Sequence, residues 1–190
     1  FAAEGYANVY GHDVTPRKRA EDALRGSERR ERERAAELAA LLEAVPAPVF
    51  IAHDPDCHHV TGNRAADELL RNPRGAEASL SAPSDSRPRH FKTFKDGREL
   101  ALDELPAQRA ARGFPVQDFE FSLVFEDGTT RHVLGYGTPL RDDSGLPRGA
   151  VHVLVDITER KRAEEEIRRA KEGLEAAVQE RTAELVRANR

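Results

Sequence analysis

The sequence predicts an α+β domain: a five-stranded antiparallel sheet with short helices on one face, flanked by long N- and C-terminal helices. Three observations predict it. Alternating apolar runs at 48–54, 58–61, 116–125, 130–139 and 149–155 are bounded by Pro, Gly and Asp-Gly breaks and read as strands. Helix-forming stretches stand between the second and third of these runs. The flanking tracts 17–45 and 159–190 contain no Pro and are densely charged, as solvated helices are.

Composition places the core. Charged residues make up 34% of the 190 and hydrophobic ones 38%, too polar for one globule of that length, so 46–158 is the expected core. The net charge of -4, with interleaved signs, gives no footprint for nucleic acid or an anionic membrane surface. No stretch reads as a membrane span or secretory signal. A single cysteine, Cys57, excludes an internal disulfide framework and fits a reducing compartment, so a cytoplasmic location is expected. The chain begins at Phe1 and has no Met, which suggests a fragment of a longer protein.

Taken in order, the first helix runs from 16 to 45. Ala20, Leu24, Ser27, Glu31, Arg34, Leu38, Leu41 and Val45 recur at alternating steps of four and three, a heptad seam with a polar middle. The tract Glu28 to Arg34 alternates sign and reads as a solvated face. Pro46 and Pro48 end the helix, and 48–54 forms the first strand. After a turn at Pro55-Asp56-Cys57 and the second strand, Asn63 is placed to cap a helix from Arg64 to Leu70. Residues 71–90, rich in Ser, Pro, Arg and Asp, read as irregular turns or a lid.

Lys95 to Arg98 is a turn, and Asp103 is expected to open a helix continuing to a left-handed C-cap at Gly113. In the strand 116–125, Phe119, Phe121, Leu123 and Phe125 share one face. The last strand, 149–155, is rich in β-branched valine and reads as buried on both faces. Asp156-Ile157-Thr158-Glu159-Arg160 then turns strand into helix, with Asp156 or Thr158 capping it. The same joint occurs near the start: Asp13 to Glu21 matches Asp156 to Glu164 at seven of nine positions, 143 residues apart. A repeat at that distance implies tandem modules, with 1–15 the end of a preceding one.

These residues resemble the PAS sensor domain over about 40–160. The resemblance rests on Asp54-Pro55-Asp56, Asn63 to Leu70, Leu105-Pro106, Arg109-Ala110, Gly113, Glu120, Asp127-Gly128, Pro139-Leu140, Asp142, Gly145 and the Asp156-Ile157-Thr158 ending. One departure is Cys57, where the family usually has Gly; a hairpin-turn position makes a solvent-accessible thiol the expectation. Glu180 to Asn189 resembles the helix that enters the phosphoacceptor region of bacterial sensor histidine kinases. The resemblance implies a sensing and dimerisation module with 159–190 as its output helix, serving a histidine kinase or, alternatively, a cyclic-dinucleotide enzyme. A structural dimerisation spacer is the third reading. No phosphoacceptor histidine or ATP-binding lobe is contained in these residues, so no catalysis is assigned to them.

Candidate sites follow from residue types. Asp54, Asp56, Cys57 and His53, His58, His59 are dense in metal donors, but alternation along a hairpin sends them to opposite faces, and a polar turn is favoured over a metal site. Haem sensors of the family often take a His from the helix before the long strands, and photoactive flavin modules need a mid-domain Cys; 103–112 has neither, so no cofactor is expected. His90, in the irregular stretch, reads as solvent-facing. A small-molecule pocket would involve Arg109 as a cation, Phe119, Phe121 and Leu123, with Val133 and Gly135 leaving space beside the sheet, although filling of the core by the phenylalanines is the favoured reading. Asp156, Ile157, Thr158 and Arg160 are the expected transmission residues. Leu24, Leu38, Leu41, Val45, Ile167, Leu174, Val178 and Leu185 are the expected seam of a parallel homodimer, with a stutter where two four-residue steps meet around Leu174.

Overall fold

The computed structural model describes residues 15–188, so all but the last residue of the expected tail of a preceding module, 1–15, lies outside the described residues. Two units are distinct: the helix α1, Thr15–Ala44, and everything from Val45 onward. α1 is 30 residues long and carries Leu24, Leu38 and Leu41 in the open, each more than half exposed. No described helix is long and apolar enough to cross a membrane.

The second unit is built on one antiparallel sheet. Its strands are β1, Val49–Ala52; β2, Val60–Gly62; β3, Phe91–Lys95; β4, Arg98–Glu99; β5, Val116–Phe125; β6, Thr130–Arg141; and β7, Pro147–Asp156. The order across the sheet is β2-β1-β7-β6-β5-β3-β4, so there are seven strands and not five. The two extra form a hairpin at the edge beside β5, with Phe91 opposite Phe125 and Thr93 opposite Leu123. Its Asp96-Gly97 turn has both residues at positive φ, 51° and 80°, the mirror-image turn that matches the twist of paired strands.

Three helices complete it: α2, Arg64–Leu70; α3, Pro106–Ala111; and α4, Thr158–Ala188. Asn63 caps α2 as expected, accepting from Ala66 N at 3.0 Å; its side chain also accepts from Val49 N and donates to the Val45 and Ala47 carbonyls. One side chain thus fixes the entry of β1 and the start of α2 together. The helix expected from Asp103 is broken. Leu102–Glu104 is a single 3₁₀ turn, Leu105 is extended, and α3 begins at Pro106, because the proline ring disfavours helical geometry in the residue before it. Gly113 follows at φ +99°, the left-handed position expected of a helix end.

α3 lies on the inner face of the sheet, over the glycines of β6. A Cβ on Gly137 would stand 2.9 Å from Ala110 Cβ, and one on Gly135 would stand 3.1 Å from Pro106 Cγ. The space that Gly135 leaves beside the sheet is therefore taken by the helix, not by a ligand pocket. The core is Phe50, Val60, Leu69, Leu70, Phe91, Phe121, Leu123, Phe125, Val133 and Leu154 with their smaller neighbours. β7 is buried on its inner side only: His152 and Leu154 are covered, whereas Val151 and Val153 are half-buried and Val155 is exposed. The reading of β7 as buried on both faces is corrected accordingly; among the described residues of this unit, no helix covers the outer side of the strand.

Candidate functional site

Between the inner face of the sheet, α3 and the segment 78–80 lies a cavity of about 60 Å³. The period-two pattern supplies most of its wall: Phe121 and Leu123 from β5, Phe50 from β1, Phe91 and Thr93 from β3, His152 and Leu154 from β7. Leu105, Pro106, Ala107 and Gln108 close one side, and Ala78, Ser79 and Leu80 another. No lining residue carries an acidic or basic side chain of fixed charge.

Ser79, Thr93, Gln108 and His152 are the polar side chains of this largely apolar wall, and the last two are the largest. His152 is paired across the strands with Phe50, and the rings stack with centroids 4.5 Å apart. Burial pushes the His152 pKa down to about 4, because nothing charged stands near to compensate an imidazolium. Gln108 donates from Nε2 to Ser81 Oγ at 3.0 Å. Gln108 Oε1 and His152 Nδ1 are buried and have no hydrogen-bond partner.

The third wall is suspended from the first hairpin. Glu77 Oε1 accepts from Val60 N and Ser79 N, each at 2.8 Å, while Oε2 is 2.8 Å from His59 Nδ1. Ser79 Oγ donates to the Cys57 carbonyl and accepts from Ser81 N at 2.9 Å. The stretch expected to be irregular is thus irregular but held. Neither Glu77 nor Gln108 was identifiable from the sequence, since each acquires its role only from contacts made in three dimensions. His90 is tied too, with Nε2 2.7 Å from the Leu70 carbonyl.

The hairpin corrects a second expectation. Cys57 is fully buried, not solvent-accessible, and it holds φ +54°, which explains why Gly suits the position. Burial, with Asp54 nearby, pushes its thiol up to about 12. Asp54 organises the turn by accepting from the backbone N–H groups of Asp56, His58 and His59 at 2.9–3.0 Å. Burial works to raise its pKa, but these donors outweigh it and hold the carboxyl below its ordinary value. Donor atoms of Asp54, Asp56 and His58 fall within 4.8 Å of one another. With both Asp54 oxygens already serving the backbone, the turn itself accounts for the cluster.

Of the residues expected to line a pocket, the cavity brings together Phe121 and Leu123. Arg109 and Phe119 lie instead in an open groove that also contains Lys95, Arg98 and Glu104. Val133 is in the core, and Gly135 lies under α3. Arg109 therefore offers no cation to the cavity.

The strand-to-helix joint is assembled as follows. Asp156 Oδ1 accepts from Thr158 N at 2.9 Å, Ile157 N donates to the His132 carbonyl at 2.8 Å, and Thr158 Oγ1 accepts from His132 N at 2.9 Å. Ile157 and Thr158 are both buried. The first turn of α4 then crosses β6 to reach β5, where Glu120 meets Arg160 at 2.7 Å and Lys161 at 2.6 Å. Hydrogen bonds from Lys161 and then Arg160 hold the Glu120 carboxyl below its usual range. All three side chains are partly exposed, so each pair contributes no more than about 1 kcal/mol. Further along α4, Ile167, Leu174, Val178 and Leu185 are each more than half exposed.

The family model described as PAS fold matches residues 42–162. No curated protein matches the chain. Solved structures that resemble it include the PAS domain of an HTR-like protein from Haloarcula marismortui, at 20% identity and TM-score 0.43, covering 70% of this chain and 99% of that one. The PAS domain of BvgS from Bordetella pertussis, at 18% and 0.44, covers 74% and 98%. A sensory box histidine kinase/response regulator from Burkholderia thailandensis E264, at 18% and 0.43, covers 72% and 96%. With a family model spanning well over half of its length, the cavity and joint described above are those of a PAS domain, and the chain belongs to the PAS fold family.

Proposed function

We propose that the chain is the sensing and dimerisation segment of a cytoplasmic signalling protein, and that α4 carries a change at the cavity to an output domain, a histidine kinase in the reading we favour. One observation carries the proposal: β7 supplies His152 and Leu154 to the cavity wall and runs without a break through Asp156-Ile157-Thr158 into α4. A shift of the strand at one end must move the helix at the other, or break the hydrogen bonds of the joint. The seam residues of α1 and α4 serve a parallel homodimer, which doubles the relay and gives the output helices a partner to rotate against.

Thr158→Val tests the relay, since it removes the hydroxyl that accepts from His132 N and keeps the shape. Spin labels at Glu175 should report a changed distance or distribution between the two copies of α4, with the melting of the sheet domain little affected. Unchanged distances would leave the spacer reading standing. Regulation of a cyclic-dinucleotide enzyme is the competing output, and assay of the parent protein for histidine autophosphorylation against cyclic-dinucleotide turnover separates the two.

A further inference from the structure

The cavity contains an unmet chemical demand that specifies what enters it. Gln108 and His152 are 5% and 9% exposed, and each has a buried polar atom, Oε1 and Nδ1, with no partner. A polar atom left dry and unpaired in an apolar wall is unfavourable, and native proteins rarely keep two in one place without a partner for them. Rotating the Gln108 amide by half a turn would exchange which terminal atom meets Ser81 Oγ, and one would still be unpaired. A neutral imidazole likewise presents one N–H and one bare nitrogen. A group that both donates and accepts can meet both side chains whichever amide orientation and tautomer they hold.

The geometry points to a small, neutral amide or hydroxyl compound with an apolar body as the ligand of this cavity, held through Gln108 and His152. This rests on the sensing role proposed above and narrows it. Anions are disfavoured because no Arg or Lys lines the wall, and cations because no Asp or Glu does. Phe121, Leu123 and Leu154 supply the surface for the apolar body. Size is bounded too: the volume of about 60 Å³ is well below the ~150 Å³ of a cavity that admits benzene.

Three probes of five heavy atoms each separate the requirements: propionamide donates and accepts, butanone only accepts, and propionate is an anion. Titrated into the ¹⁵N-labelled full chain, propionamide should shift the amides of Ser79, Gln108 and Leu154 saturably. Butanone should bind at least tenfold more weakly, and propionate should leave these amides unmoved. Gln108→Leu keeps the bulk and removes both polar atoms, so its affinity for propionamide should fall to that for butanone. If that variant does not fold, the ratio of propionamide to butanone in the unaltered chain decides. Equal binding of the two, tighter binding of propionate, or no shift with any probe overturns the assignment; the last outcome means that water alone serves the two atoms. Propionate binding that perturbs α4 would overturn the ligand class and leave the sensing role intact. Propionamide binding with α4 insensitive to Thr158→Val would do the reverse.

Discussion

The sheet domain and the two long helices use apolar residues in opposite ways. In the former, Phe50, Leu123 and Val133 are at most 2% exposed and are surrounded by other side chains. In the latter, Leu38, Ile167 and Leu174 are 62%, 69% and 67% exposed, although their spacing is as regular as that of any strand. Periodicity alone therefore tells which residues seek cover and not whether one chain provides it. The sheet domain buries its pattern, whereas α1 and α4 leave theirs exposed.

The sharpest break of this comparison is a pair of matched truncations. Leu123→Ala empties part of the core under β5 and should cost about 2 to 5 kcal/mol, enough to leave the domain marginal. Leu174→Ala removes the same atoms from an exposed site and should change sheet-domain stability by no more than about 0.5 kcal/mol. Urea denaturation followed by the dichroism of the aromatic side chains reads both. Equal effects would mean that α4 is part of the same cooperative core.

Acid should act on the sheet domain first, through His152. His152 has an ordinary pKa of 6.5 when unfolded and about 4 when folded, so between those values the unfolded chain binds the extra proton. Stability is therefore full above 6.5 and is lost as the pH falls toward 4, by roughly 3 kcal/mol over that window. The carboxyls of Glu104 and Asp127, both held down to about 2, lose their contributions only below about 4.5 and 3.8, a lower and separable window. His152→Leu should flatten the slope between 6.5 and 4; an unchanged slope would show that another group titrates there.

A smaller effect is expected at Cys57. Cys57→Gly relieves a positive φ, worth about 1 kcal/mol, but gives up a fully buried side chain and adds freedom to the unfolded chain. The losses outweigh the relief, and thermal melting should read a net destabilisation of about 1 kcal/mol. Independently, the buried thiol with its raised pKa should react with a disulfide reagent only as fast as the domain opens. Immediate labelling in the native state would contradict the burial.

How much of this was legible follows the same division. The five long-range strands, the Asn63 cap and the Gly113 helix end were readable because each is decided by neighbours in sequence. The β3-β4 hairpin had its signal, Phe91 and Thr93 alternating toward an Asp-Gly turn, but it is short and adjoins a featureless stretch. His152 could have been placed from alternation with Ala150 and Leu154, and the run of valines around it hid the pattern. Cys57 was misread since its turn suggested exposure, and the left-handed backbone turns the side chain inward. Glu77 and Gln108 had no local signal at all: a capping carboxylate and a pocket amide are defined by partners 17 and 27 residues away.

The least perturbing change for the fold is the most informative for the helices. Leu38→Glu combined with Leu41→Glu places two charges on adjacent seam positions of α1, in a unit separate from the sheet domain. Neither side chain is covered in the single chain, so the melting of the sheet domain should not move. In a parallel pair the same substitutions would set like charges against each other across the seam, and replace side chains worth about 1.5 to 3 kcal/mol each when buried. The α1 seam has few such residues to lose, because Glu31 and Arg34 already interrupt it. Sedimentation should therefore show the double variant as a monomer at concentrations where the unaltered chain is a dimer. A variant that still sediments as a dimer would move the association to α4 or to the half-buried outer side of β7, where Val151, Val153 and Val155 face away from the core.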